Sequence, residues 1–239
     1  MADKNVMQGI LDNLVFLPKT NTDARALKFD GVSGIWYNYK PDLGEIAVFF
    51  HGNATVAADC DIVCMKISTK FGNCPVFCFD PSGYGVSSGK PSTSNIETDA
   101  NKCYIYLLSL GYKPENINIY GHSIGGAYAL VMARSSTFKS VTLRSVFCDM
   151  KDAMSLNSAS LPPGFKEATL SIVKLYNNSE TVSKFNGDAA KTPIVFMHSR
   201  TDEIIPFDSM RKLRNLMNSK GCKTEIVMLN GTHNNFENI

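Results

Sequence analysis

Ser123, the middle residue of Gly-His-Ser-Ile-Gly at residues 121–125, has the setting that most favours nucleophilic chemistry in this sequence. It follows an apolar β-branched run and precedes an alanine-rich helix former. The pattern Gly-x-Ser-x-Gly between a strand and a helix is typical of a nucleophile elbow, a strained turn that exposes the serine hydroxyl. Gly121 and Gly125 let strand and helix approach closely, because neither carries a Cβ. On the motif alone, a small-residue turn without function stays a possible interpretation.

A serine hydroxyl needs a base that takes its proton and a third group that orients this base. His233 lies in a loop after the last predicted strand, and a loop can carry its imidazole over Ser123. Asp202 follows the preceding predicted strand and is the candidate acid, with Glu203 beside it and Asp149 after another strand as alternatives. The chain order Ser123, Asp202, His233 is the order expected of an α/β-hydrolase fold.

Acyl transfer at a serine also needs two N–H groups that face the developing oxyanion. The N–H of Ile124 is one candidate, since it begins the helix after the serine, where the helix dipole also helps. In Phe-Phe-His-Gly-Asn, residues 49–53, Gly52 lets the backbone turn inward so that the N–H of Asn53 can face Ser123. Taken alone, this second segment is equally compatible with a plain glycine turn between strand and helix.

The elements that must position these residues alternate along the chain. Short β-branched runs predict buried strands, and apolar residues at three- and four-residue spacing predict helices between them. This alternation predicts an α/β fold with a mainly parallel sheet covered by helices on both faces. Before it, Leu-Val-Phe-Leu-Pro and Gly-Ile-Trp-Tyr-Asn-Tyr-Lys-Pro predict antiparallel edge strands. The predicted parallel strands are EIAVFF, CPVFCF, NINIYG, SVTLRSVFC, TPIVFMH and TEIVML, and the predicted helices are 54–70, 94–110, 124–135 and 207–219.

We expect one domain over residues 1–239, with a small cap insertion at 150–192 whose Met and Leu residues predict an apolar acyl pocket. The composition, 44% hydrophobic with a net charge of +2, argues against nucleic-acid binding. The sequence contains no apolar run of the ~20 residues that a membrane helix needs and no secretory leader, so we expect a cytoplasmic protein without an integral membrane segment. The seven cysteines predict buried free thiols, and their spacing matches no common metal site, so we expect neither metal nor cofactor.

With these residues in place, the sequence resembles the α/β-hydrolase-domain proteins that include mammalian protein depalmitoylases and related lysophospholipid and monoacylglycerol lipases. The resemblance implies a metal-independent serine hydrolase of acyl esters or thioesters. It assigns Ser123 as nucleophile, Asp202 as acid, His233 as base, and Asn53 and Ile124 as oxyanion donors. The segments that carry it are FFHGNAT, FDPSGYGVSSGKPS, KPENINIYGHSIG, TPIVFMHSRTDEIIP and GTHNN, between residues 49 and 235.

The sequence departs from that family at three places. It has no cysteine before Cys60, whereas the depalmitoylases carry a lipidated N-terminal cysteine cluster. Ser199 follows His198 where the family usually has glycine, which could shift the acid loop. The chain continues for only six residues after His233, without the family's final helix, so we expect a second subunit to cover the face left open. A serine peptidase of the same fold and a catalytically silent binding module remain alternative functions.

Overall fold

The computed structural model describes residues 8–9, 12–13, 15–40, 42–152, 176–237 and 239. The described strands form one eight-stranded sheet in the order β1-β2-β4-β3-β5-β6-β7-β8. β2 runs antiparallel to β1 and β4, and all other neighbours are parallel. The strands are β1 (Leu27–Phe29), β2 (Val32–Tyr37), β3 (Ile46–Phe50), β4 (Val76–Asp80), β5 (Ile117–His122), β6 (Ser140–Arg144), β7 (Ile194–Ser199) and β8 (Thr224–Leu229).

Five α-helices of the described residues pack on the two faces of this sheet. Alternate strand residues serve opposite faces: Ile46, Val48 and Phe50 join the larger core with most helices, whereas Ala47 and Phe49 join a smaller core under the first helix. This arrangement confirms the predicted mainly parallel α/β fold. The helices are α1 (Asp61–Lys70), α2 (Asn95–Ser109), α3 (Gly125–Ala133), α4 (Asn178–Ser183) and α5 (Phe207–Ser219).

The local sequence explains why these helices lie where they do. In α5, Met210, Leu213 and Met217 recur at three- and four-residue spacing and are buried, while most other positions are polar, so one face packs on the sheet. Every residue of α3 is buried, which fits the alanine- and glycine-rich sequence of a helix that packs tightly against its neighbours. α3 begins two residues after Ser123, so a fully buried helix holds the predicted nucleophile in place.

Three strand predictions need correction. Residues 15–18 of the predicted strand LVFLP form no strand, because the Val15 carbonyl and the Leu17 N–H bond to the Asn53 side chain. β6 ends at Arg144 and not at Cys148, since the next residue, Ser145, has φ 48°. β8 is an edge strand with exposed side chains, not a buried one.

The predicted cap falls partly outside the described residues, which resume at Tyr176. Its described part belongs to the main core: Val182 in α4 and the following Phe185 and Ala189 are buried there. The single-domain assignment and the role of the insertion as a cap stay predictions.

The residues after His233 cross the face of the sheet that carries α1. The guanidinium of Arg144 lies 4.7 Å from the ring centre of Phe236, Lys66 in α1 donates to the Phe236 carbonyl at 2.7 Å, and Ile239 packs against the smaller core. A second subunit on this face stays a prediction. Within the described part of the chain, none of the helices combines the length and apolar character needed to cross a membrane.

Candidate active site

Ser123 occupies a strained turn between β5 and α3. Its φ is +55°, in the left-handed region that a non-glycine residue rarely adopts. The Ser123 N–H donates to the Arg144 carbonyl at 2.9 Å, which ties this turn to the end of β6. The turn therefore has the backbone geometry of the predicted nucleophile elbow.

The glycines around Ser123 are required by close packing. A Cβ on Gly121 would lie 2.7 Å from the Ala129 Cβ, and one on Gly125 would lie 2.0 Å from the Phe50 carbonyl oxygen. Gly126, which the motif does not include, is equally restricted, because its Cβ would meet Val146 at 2.4 Å. The consecutive glycines Gly125 and Gly126 are the sequence signal for this third close approach.

Asp202, the predicted acid, and His233, the predicted base, lie together in the structure. His233 Nδ1 is 2.9 Å from both carboxylate oxygens of Asp202, and both residues are buried. The N–H groups of Ile204 and Ile205 also donate to Asp202 Oδ1, at 3.0 and 2.8 Å. Burial raises the pKa of Asp202, but the bonds from His233 and the two amides outweigh it and lower the pKa to about 2. Asp202 is therefore an anion that holds the Nδ1–H of His233.

Ser199 does not disturb the loop that carries Asp202. Its hydroxyl accepts from the Thr201 N–H at 3.1 Å and lies 2.9 Å from the Thr201 hydroxyl, so it closes the turn after β7. The neighbouring His198 is buried and donates from Nε2 to the Ile205 carbonyl at 3.0 Å. Both side chains fix the backbone from which Asp202 extends.

Three further side chains hold the backbone of the His233 loop. Glu203 accepts from the His233 N–H at 2.9 Å, and His122 donates from Nε2 to the His233 carbonyl at 3.2 Å. Burial lowers the pKa of His122 well below its ordinary value, so it is neutral and can hold this tautomer. Arg144 donates to the Asn235 carbonyl two residues later. Glu203, the alternative acid, thus binds the backbone of the predicted base and not its imidazole.

Asp149, the other alternative acid, has different partners. Asp149 accepts from the Lys151 N–H at 2.9 Å and from Asn177 Nδ2 at 3.3 Å. The carboxylate that binds the imidazole of His233 is that of Asp202, whereas Glu203 binds the backbone N–H of the same residue. Sequence reasoning missed His122 and Arg144 as positioning residues, because each acts on a loop more than ninety residues away along the chain.

His122, the residue before Ser123, brings the His233 loop to the elbow. The ring of His122, the residue before Ser123, lies 5.0 Å from the His233 ring, centre to centre. Within the described part of the chain, no hydrogen bond joins the Ser123 hydroxyl to His233 Nε2. Such bonds are often long in a free enzyme and tighten when substrate binds.

The two predicted oxyanion donors flank the serine. A Cβ on Gly52 would lie 3.6 Å from the Ser123 Cβ, so the loop after β3 touches the elbow. His51 donates from Nδ1 to the Gly52 carbonyl at 2.7 Å. Because the carbonyl and N–H of a trans peptide point in opposite directions, this bond turns the N–H of Asn53 away from His51. Among the described residues, neither this N–H nor that of Ile124 donates a hydrogen bond, so both are available.

Asp80 braces the same loop from the end of β4. Its Oδ1 accepts from His51 Nε2 at 3.1 Å and from the Ala57 N–H at 2.8 Å. Burial lowers the pKa of His51, but the bond to Asp80 outweighs it and the net pKa is raised. His51 can therefore carry both ring protons and hold the Gly52 carbonyl and Asp80 together.

The cysteines and the possible metal ligands of the described residues were the other groups that could do chemistry. All seven cysteines are free thiols, and all except Cys148 are buried, as predicted. Within residues 15–40, 42–152 and 176–237, no three His, Cys, Asp or Glu side chains form a group that could hold a metal ion.

Comparisons with known proteins agree with this fold. An uncharacterized protein of Acanthamoeba polyphaga mimivirus is 29% identical over 209 residues, 81% of this chain and 68% of its own. Human alpha/beta hydrolase domain-containing protein 17B is 28% identical over 189 residues, 77% of this chain, but the match spans only 59% of the human protein. An alpha-beta hydrolase from Vibrio vulnificus superposes with a TM-score of 0.71 at 19% identity, over 95% of this chain and 80% of that one. This last likeness shows the fold alone.

The profile of the prolyl oligopeptidase family matches residues 93–233, more than half of the chain, from α2 through the elbow to His233. The chain therefore belongs to the prolyl oligopeptidase family of the α/β-hydrolase superfamily.

Proposed function

We propose that this α/β-hydrolase is a serine hydrolase that cleaves acyl esters or thioesters through an acyl-enzyme on Ser123. The observation that carries the proposal is the buried Asp202–His233 pair, whose imidazole ring lies 5.0 Å from the ring of His122, the residue before a serine at φ +55°. The free N–H groups of Asn53 and Ile124 support it further, because an oxyanion needs donors that are fixed but unoccupied.

In the proposed reaction, His233 Nε2 takes the Ser123 hydroxyl proton while Oγ bonds to the acyl carbonyl carbon. The N–H groups of Asn53 and Ile124 stabilise the carbonyl oxygen as it becomes negative. His233 then gives its proton to the leaving alcohol or thiol as the carbon–leaving-group bond breaks. Asp202 keeps the proton of His233 on Nδ1, which leaves Nε2 free to accept.

Water completes the cycle in a second step of the same kind. His233 takes a proton from water, the water oxygen bonds to the acyl carbon, and the bond from Ser123 Oγ breaks. Ser123 recovers its proton from His233, and the carboxylic acid leaves. No step needs a metal or an organic cofactor.

A peptidase activity is the second candidate, and the family match favours it. Acylaminoacyl peptidase is also a structural neighbour, with a TM-score of 0.60 over 88% of this chain, although the match spans only 37% of that chain at 15% identity. A peptide bond has a poorer leaving group than an ester, but the same serine, histidine and oxyanion donors would be used.

The test is a substrate panel measured on wild type and on Ser123→Ala: p-nitrophenyl esters, acyl thioesters and aminoacyl p-nitroanilides. We expect ester or thioester turnover that falls by about 10⁶ in the variant, the loss seen when such groups act as a unit. Turnover of the anilides alone would favour the peptidase. Equal turnover of every substrate by wild type and Ser123→Ala would refute both activities.

A further inference from the structure

A small pocket with aromatic walls opens beside the two predicted oxyanion donors. Gly52, the residue before Asn53, and Ile124 are among its lining residues, so an ester whose carbonyl oxygen faces the two predicted donors would place the start of its acyl chain next to this pocket. Phe16, which lies in the segment of residues 15–21 before β1, forms one of its aromatic walls. Its other aromatic walls are Phe50, Phe79, Tyr84 and Tyr128.

Phe16 is held there by the side chain of Asn53. Asn53 Oδ1 accepts from the Leu17 N–H at 2.8 Å, and Asn53 Nδ2 donates to the Val15 carbonyl at 2.6 Å. One amide thus binds the backbone on both sides of Phe16. Tyr84 donates its hydroxyl to the same Oδ1 at 2.7 Å, which fixes the orientation of the amide.

The rest of the segment is anchored as well. The Gly85 N–H donates to the Lys19 carbonyl at 2.9 Å, and the Asn21 N–H donates to the Gly85 carbonyl at 3.2 Å. As a result, Phe16 is 1% exposed, whereas the next residue, Leu17, is 55% exposed. The segment places one aromatic side chain inside the pocket and leaves its neighbour in solvent.

We propose that Phe16, clamped by the side chain of Asn53, is the end wall of the acyl pocket and restricts the enzyme to short acyl groups. This inference rests on the proposed hydrolase function. It gives Asn53 two separate tasks: its N–H faces the oxyanion, and its side chain sets the depth of the acyl site. The wall lies about 37 residues before the oxyanion loop in the chain, so the pocket motifs give no sign of it.

Truncating the Phe16 side chain should allow the pocket to accept longer acyl chains. Removing a large apolar side chain from a packed site leaves a cavity on the order of 150 Å³, enough for a benzene-sized group. A pocket that gains room for extra methylenes discriminates by about tenfold or more per well-placed methylene.

The experiment measures kcat/KM for p-nitrophenyl acetate, butyrate and octanoate with wild type, Phe16→Val and Phe16→Ala, and with Leu17→Ala as the matched control. We expect the octanoate-to-acetate ratio to rise at least about tenfold in Phe16→Ala and by a smaller factor in Phe16→Val. Leu17→Ala, which changes the exposed neighbour, should keep the wild-type ratio. Because the readout is a ratio within one variant, partial unfolding that lowers all three rates together does not imitate the effect.

A failure of the Phe16 proposal and a failure of the proposed function would give different results. Hydrolysis that depends on Ser123 but keeps the same acyl profile in both Phe16 variants overturns the wall and leaves the proposed function intact. A ratio that rises equally in Leu17→Ala overturns it too, because the effect would then come from loosening the segment. If wild type hydrolyses neither these esters nor acyl thioesters in a way that Ser123→Ala abolishes, the proposed function itself fails.

Discussion

Replacing Asp202 with asparagine removes the negative charge of the predicted acid but keeps its size and shape. Asp202 Oδ1 accepts from the Ile204 and Ile205 N–H groups, so the asparagine oxygen is held at that position. The Nδ2 group must then take the place of Oδ2, 2.9 Å from His233 Nδ1. Two N–H groups cannot face each other, so His233 loses its Nδ1 proton and carries it on Nε2. In that tautomer it cannot accept the proton of Ser123.

The size of the effect follows from two quantities. Loss of the correct tautomer in a comparable site lowers kcat by about 10⁴. For stability, the pKa of Asp202 falls from its ordinary 3.8 to about 2 on folding, and each pKa unit corresponds to about 1.4 kcal/mol. The carboxylate thus contributes about 2 kcal/mol to the free energy of unfolding. Since the folded pKa is the lower one, this contribution is present above about pH 4 and is lost as the pH falls towards 2.

The assay pairs ester turnover with urea unfolding for wild type, Asp202→Asn and Asp208→Asn. Asp208 is an exposed carboxylate paired with Arg211 at 2.8 Å, so its substitution controls for the chemical change itself. We expect that control to keep full turnover and to change stability by less than about 0.5 kcal/mol. The wild type should lose its stability advantage over Asp202→Asn between about pH 4 and pH 2. Turnover of Asp202→Asn within tenfold of wild type would refute the assignment of Asp202.

Two further predictions concern the elbow and the loop of the base. Gly125→Ala places a Cβ 2.0 Å from the Phe50 carbonyl oxygen, so we expect the free energy of unfolding, measured by thermal unfolding, to fall by about 3 kcal/mol. In the control Gly187→Ala the Cβ meets nothing within 4 Å, so its stability should stay within about 0.5 kcal/mol of wild type. Equal stability of the two variants would contradict this packing argument. Glu203→Gln keeps an acceptor for the His233 N–H but removes the charge, so kcat should fall by less than about tenfold. Replacement of Asp202 should lower kcat by about 10⁴. An equally large fall in kcat for Glu203→Gln would mean that Glu203 shares the role of the acid.

The central part of the fold could be predicted from the sequence, and the residues of the candidate site could be proposed from it, because their signals are local. Ser123 lies between a β-branched run and an alanine-rich helix, and the glycines beside it mark close approaches that the structure contains. Asp202 and His233 follow β7 and β8, whose carboxyl ends share one edge of the sheet. Parallel topology then brings together residues that are far apart in the chain.

What escaped prediction depends on tertiary contacts. Residues 15–17 are apolar and were predicted as part of a strand, but the Asn53 side chain takes up the backbone groups that a neighbouring strand would otherwise bind. β8 has the apolar composition of a buried strand, yet its place at the edge of the sheet leaves Val227 and Met228 exposed. Composition reports what a segment can bury, whereas its neighbours decide what it does bury.

The central claim is that Ser123 is an activated nucleophile, and covalent labelling of the folded protein with a fluorophosphonate tests it most directly. We predict a single adduct in wild type that maps to Ser123 by peptide mass spectrometry and is absent from Ser123→Ala. Its rate of formation should fall strongly in Asp202→Asn and stay unchanged in Asp208→Asn. A folded wild-type protein that forms no adduct, or an adduct of equal yield in Ser123→Ala, would contradict the claim.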